Sequence, residues 1–135
     1  MTRSARFTLR AWRLCGALLA AGLLTTAQAG TAVAAAKPVP FSFKYRLESQ
    51  TWQQGAGKTT LRIMSCNKSE KFHAELIRSR VGRDASAGGA TLKCAKRQEF
   101  TYKAPVEGTY YFVFTKLDDG KVLKGDAIFL FPNPS

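Results

Sequence analysis

From Phe41 the chain alternates: Phe41, Phe43, Tyr45 and Leu47 fall on one side, and Ser42, Lys44, Arg46 and Glu48 on the other. A period of two, with aromatic residues on one face, predicts a half-buried β-strand. Pro38 and Pro40 directly before it suit an extended approach on a sheet edge, where a missing N–H does no harm. Gly55-Ala56-Gly57 is a turn signal, and Thr59–Cys66 follows as a strand with Leu61 and Ile63 inward. Lys71–Val81 reads two ways. Phe72, Ala74 and Leu76 alternate as in a strand, whereas Ala, Glu and Leu favour a helix that Ser69 is placed to cap. The β-branched Ile77 and Val81 and the strand-rich surroundings favour the strand. Residues 82–90, Gly-Arg-Asp-Ala-Ser-Ala-Gly-Gly-Ala, offer almost nothing to bury and predict a mobile loop. Short runs over 91–95 and 98–103 follow.

The strongest local signals come last. Glu107-Gly108 is a turn, and Thr109–Leu117 is a strand rich in Tyr, Phe, Val and Thr. Asp118-Asp119-Gly120 reads as a three-residue hairpin connection, with glycine where the backbone needs a positive φ. Ala127–Phe131 forms the final strand, stopped by Pro132 and Pro134. Six or seven short strands over residues 41–135 predict one all-β domain, a small antiparallel β-sandwich, with a small barrel as the second arrangement. The run Pro105-Val106-Glu107-Gly108-Thr109-Tyr110-Tyr111-Phe112-Val113-Phe114 resembles the closing strands of bacterial pre-peptidase C-terminal-type domains. That resemblance implies a secreted accessory β-sandwich; it carries over no functional residue.

Upstream, the first carboxylate of the chain is Glu48. Arg3, Arg6, Arg10 and Arg13 precede an apolar stretch, Leu14–Leu24, and the small-residue exit Ala27-Gln28-Ala29. This is the pattern of a secretory signal peptide over residues 1–29, cut after Ala29. The apolar stretch rises only about 16 Å as a helix, half of what a membrane span needs. No transmembrane segment is expected after cleavage. Cys15 lies at the start of the stretch rather than its end, which argues against lipidation. The Ala-rich segment Ala32–Ala36 offers a second cut, and residues 30–40 are expected as a disordered or extended leader.

Export changes the reading of the cysteines and the charge. Cys66 and Cys94 remain as an even pair in a secreted chain, which predicts a disulfide. Closing that loop would stabilise the domain by about 3.5 kcal/mol on the chain-entropy model. The formal +12 of the whole chain includes the four arginines of the leader, so the mature chain carries +8.

Catalytic chemistry finds little support. Gly57-Lys58-Thr59 suggests a phosphate loop, but the first glycine of that motif is replaced by Trp52, and a turn is the better reading. His73 is the single histidine, too few for a metal cluster or a base-assisted nucleophile. Asp118 and Asp119 are adjacent in a turn, and Glu48, Glu75 and Glu99 are far apart in sequence. No catalytic residue, metal site or cofactor is expected. Asn67-Lys68-Ser69 matches the N-glycosylation pattern, without weight in a chain of bacterial character.

Charge is the more useful signal. Arg78, Arg80 and Arg83 cluster, and Lys93, Lys96 and Arg97 flank Cys94, so a Cys66–Cys94 bond is expected to draw these groups into one region. Such a surface attracts polyanions, or simply keeps an exported protein soluble. The aromatics lie on other strands, which argues against specific nucleic-acid binding. Trp52, between Thr51 and Gln53-Gln54, suits a loop aromatic that stacks on a sugar or one that plugs the core. Tyr111 and Val113, and Ile128 and Leu130, give their strands a second apolar face, for a covering loop or a partner. The sequence therefore favours a secreted, non-catalytic domain binding an anionic envelope polymer or glycan through Trp52, Arg78, Arg80, Arg83, Lys93, Lys96 and Arg97. The alternative is a protein-directed effector: an inhibitor, toxin or complex subunit that holds an extracellular protein.

Overall fold

The computed structural model of the chain describes residues 34–135. The expected signal peptide and Cys15 lie outside the described residues. Nine strands are present among the described residues: β1 (Ala34–Phe43), β2 (Arg46–Glu48), β3 (Trp52–Gln54), β4 (Gly57–Cys66), β5 (Lys71–Ser79), β6 (Ala85–Lys93), β7 (Glu99–Ala104), β8 (Gly108–Thr115) and β9 (Leu123–Pro132). They form two antiparallel sheets. The first runs β1-β9-β4-β7; the second runs β2-β8-β5-β6, with β3 continuing along β8 beyond β2. The all-β sandwich is as expected, and Lys71–Ser79 is a strand, not a helix.

Alternation along the strands builds the core. Leu61 and Ile63 of β4 and Phe129 of β9 face Leu76 of β5 and Phe112 of β8, all five fully buried. Phe112 and Phe129 meet edge to face across the sheets at 4.8 Å between centroids, and Phe72 meets Phe114 at 5.3 Å. Such offset and tilted pairs add to simple area burial. The Tyr110 hydroxyl donates to the Val106 carbonyl, four residues upstream. This is the tyrosine corner of Greek-key sandwiches, fixing the turn into β8.

Four expectations need correction. Phe41 to Glu48 is not one strand: the chain leaves the first sheet after Phe43 and joins the second at Arg46, which turns Tyr45 out to solvent. Ala34–Pro40, expected in a disordered or extended leader, are paired with Pro132–Asp126 of β9 within the first sheet. Residues 85–90, expected in a mobile loop, are the first part of β6; backbone pairing to β5 needs no large side chain. The Asp118-Asp119-Gly120 segment does not close a hairpin, since β8 and β9 lie in different sheets, although Gly120 does have φ +77°.

Candidate binding surface

Trp52 is built into the core. It is 7% exposed and packs on Phe112, Phe129 and Phe131 at 5.6, 5.1 and 5.5 Å. Its indole N–H donates to Gln54 Oε1 at 2.8 Å, an oxygen that also accepts from the Thr59 hydroxyl at 2.9 Å. The sugar-stacking role is corrected accordingly: no ring face is left for a ligand.

The basic clusters are separated, not joined. Arg78, Arg80 and Arg83 sit at the β5–β6 turn, whereas Lys93, Lys96 and Arg97 sit at the other end of that hairpin, beside Cys94. Lys71 pairs with Lys93 and Arg78 with Ala85; at about 3.3 Å per residue the two ends lie roughly 25 Å apart. The disulfide does form, with Cα atoms 5.7 Å apart, but it links β4 only to the Lys93 end. At the turn the arginines have local work. Arg78 points to the inner side opposite Tyr110, Arg80 Nε donates to the Arg83 carbonyl at 3.0 Å, and Asp84 accepts from the Arg80 N–H at 3.2 Å. Asp84 also accepts from the Tyr111 hydroxyl at 2.6 Å, which lays the turn over the second apolar face of β8. That hydrogen bond is the main cause that pushes the Tyr111 pKa up to about 12, and it lowers that of Asp84.

The disulfide end is different. Four connections converge there, β1–β2, β4–β5, β6–β7 and β8–β9, and they are tied to one another. Lys116 Nζ lies 3.0 Å from Asp119 Oδ1 and 3.3 Å from Glu70 Oε2, and donates to the Leu117 carbonyl at 3.1 Å. Desolvation opposes the charged form of Lys116, but its hydrogen bonds to Asp119 and Glu70 outweigh it and raise the pKa. Asp119 is held down to about 2, first by the Lys121 N–H and then by Lys116. Asn67 donates through Nδ2 to the Val122 carbonyl at 3.1 Å and accepts from the Lys124 N–H at 3.0 Å, so the sequon amide is a structural bridge. The Lys116 N–H donates to the Tyr45 carbonyl at 3.0 Å, and the Cys94 N–H to Glu70 at 2.7 Å.

These ties engage the local acids, two of them with cations and two with neutral donors. Glu70 answers Lys68 and Lys116, Asp118 accepts from the Gly120 N–H, and Asp126 accepts from Ser65. Lys44, Lys71, Lys93, Lys96, Arg97, Lys121 and Lys124 have no ion pair among the described residues. Beside them stand exposed apolar groups: Leu117 at 87%, Tyr45 at 57% and Val122 at 37%. Sequence reading found Lys93, Lys96 and Arg97 but missed Lys44, Lys71, Lys121, Lys124 and the apolar tips, which only the topology gathers.

Two of the carboxylates considered for catalysis are taken up in ion pairs on different sheets. Glu48 pairs with Arg46, and Glu99, on the other sheet, with Arg62 at 2.8 Å. Among the described residues no group of three or more His, Cys, Asp or Glu side chains is arranged to hold a metal.

No protein-family model matches the chain, and no curated protein matches it. Among solved structures it is similar to a periplasmic inhibitor of g-type lysozyme, PliG of Aeromonas hydrophila. The identity is 13% over 76% of this chain and 88% of that one, with a TM-score of 0.44. It is also similar to Drosophila melanogaster CENP-C, in a structure bound to CAL1, at 14% identity over 71% of this chain and 60% of that one, with a TM-score of 0.34.

Proposed function

We propose that the domain is an exported, non-catalytic module that holds one extracellular or periplasmic protein through its disulfide end, acting as an inhibitor or complex subunit. The observation that carries this reading is the coincidence of unpaired cations with exposed apolar tips on loops locked together by a disulfide and the Lys116 hub. A rigid surface loses little conformational entropy on docking. Its charges steer an acidic surface toward it, while the tips supply apolar area that a purely electrostatic contact lacks. The Cys66–Cys94 bond supports an oxidising compartment.

The charge surplus alone favours a second reading, an anionic envelope polymer. Immobilised mature protein, disulfide intact, separates the two when challenged with extracellular protein extract and with purified teichoic acid at low and high salt. The expected result is one protein retained in stoichiometric amount, resisting moderate salt and lost from a Lys96→Glu/Arg97→Glu variant. Retention of polymer alone, released by salt, overturns the protein-directed reading in favour of the polymer. Retention of neither makes the charge a solubility feature.

A further inference from the structure

The second sheet carries an unusual row at its disulfide end. The Cys94 N–H donates to the Glu70 carbonyl, so Glu70 and Cys94 are a hydrogen-bonded pair of the β5–β6 ladder. The next pair, Lys71 and Lys93, is therefore a non-hydrogen-bonded one, in which side chains stand closest. Like charges directly opposite destabilise a sheet. Neither lysine has a carboxylate partner among the described residues, since the adjacent Glu70 is taken by Lys68 and Lys116. One row further along, His73 stands between Thr91 and Thr115 on the same outer face. A Cβ on Gly89 would lie 2.6 Å from His73 Nε2, so the glycine leaves room for the imidazole along the face. Leu117 closes the other side, two residues beyond Thr115 and 87% exposed, as the lip of an open groove of about 290 Å³.

We infer that this groove is the specificity pocket of the docking surface and receives a carboxylate side chain, Asp or Glu, flanked by an apolar residue on the partner protein. The inference rests on the protein-directed reading and names the chemistry of the partner. Lys71, in the groove lining, and Lys93, its cross-strand neighbour outside that lining, lack a counter-charge that the ligand supplies. Thr115 and the His73–Thr91 pair, whose Nδ1 and hydroxyl lie 3.4 Å apart, offer hydrogen-bonding groups beside it, and Leu117 offers the apolar contact. A lysine pair set directly opposite, with an exposed leucine beside it, fits a bound acid–apolar pair.

Two variants and one probe test this. Lys71→Glu turns the like-charge pair into an opposite-charge pair, so Tm should rise by roughly 1–5 °C while partner affinity falls at least tenfold. Leu117→Ser should weaken binding about tenfold with Tm unchanged, since the side chain packs on little. Independently of any partner, titration of the 15N-labelled mature protein with the blocked peptide acetyl-Glu-Leu-Glu-Leu-amide should move the amides of Lys71, His73, Thr91, Lys93 and Leu117. Shifts confined to the Lys96–Arg97 or Lys121–Lys124 loops, or no shifts, overturn the groove. A Lys71→Glu protein that fails to gain Tm overturns it as well. If Lys71→Glu keeps full affinity while Lys96→Glu/Arg97→Glu loses it, the groove fails and the protein-directed reading stands. If the wild type retains no protein but the peptide binds as described, that reading fails and the groove stands as an acidic-peptide site.

Discussion

Replacing Trp52 decides between a core residue and a ligand-stacking one. The indole is almost completely enclosed by Phe112, Phe129 and Phe131, and its N–H satisfies the buried oxygen of Gln54 together with Thr59. Trp52→Ala removes that area and leaves a cavity between the sheets, which should cost about 3–5 kcal/mol. Trp52→Phe keeps most of the packing and loses the hydrogen bond, at about 1–2 kcal/mol. For a domain of this size the alanine variant should lose roughly 15 °C or more in Tm, a large part of the whole stability. Trp52 is the sole tryptophan after the leader, so urea unfolding is best followed by far-ultraviolet circular dichroism, which reads all variants alike. Wild-type fluorescence should meanwhile show blue-shifted emission that moves to the red on unfolding. A Trp52→Ala protein that loses under 1 kcal/mol yet loses binding to a glycan would refute the packing argument and restore the sugar-stacking role.

Three further outcomes are expected. Cys66→Ser/Cys94→Ser should lower stability by about 3.5 kcal/mol, measured by urea titration, and should weaken partner retention more than Trp52→Phe does, because it releases the binding end itself. The folded-state pKa of Tyr111, about 12, lies above its ordinary value of 10.0, so its contribution is complete below pH 10 and fades as pH rises through 12. Wild-type Tm should therefore fall over that interval, and a Tyr111→Phe variant should fall less; equal slopes would mean that the Asp84 hydrogen bond is not formed in solution. Gly125→Ala should be poorly folded, since a Cβ there would meet the Ser65 carbonyl oxygen at 2.0 Å and the Phe41 ring at 3.0 Å. A loss under about 1 kcal/mol would contradict that close approach of β9 to β4.

What was legible in the sequence followed periodicity and covalent chemistry. Thr109–Leu117 announces β8 because aromatic and β-branched residues alternate there, and Cys66 with Cys94 announces the disulfide once export is inferred. β6 stayed hidden because Ala85–Ala90 carries no large apolar residue; its pairing comes from β5, whose side chains supply the hydrophobic face. Trp52 read two ways because its neighbours Thr51, Gln53 and Gln54 resemble a polar loop; of the two readings the core plug holds, and Gln54 is its buried partner. Lys71 was invisible as a site residue, because a lone lysine between Glu70 and Phe72 gains meaning only when register sets it opposite Lys93. The expected merging of the two basic clusters failed for a related reason. A disulfide fixes one point of a hairpin, and β-strand rise carries the other end away.

The two ends of the β5–β6 hairpin show why charge count alone is a poor guide to function. At the turn, the Arg80 backbone and Nε, the Arg83 carbonyl, Asp84 and Tyr111 bond to one another and close the loop, although no arginine there makes an ion pair among the described residues. At the disulfide end Glu70 and Asp119 are withdrawn into the Lys116 hub, which stiffens the loops and removes two carboxylates from the neighbouring lysines. One buried-side ammonium thus does two things: it holds β4–β5 against β8–β9, and it leaves the surrounding cations unanswered. Asn67 reinforces this with an amide that bridges the same two connections without adding charge. A surface evolved only for solubility has no need of that arrangement, because scattered and individually paired charges serve as well. Unpaired cations together with exposed Leu117 and Tyr45 on the most cross-tied part of the molecule support the proposed docking surface for an acidic partner.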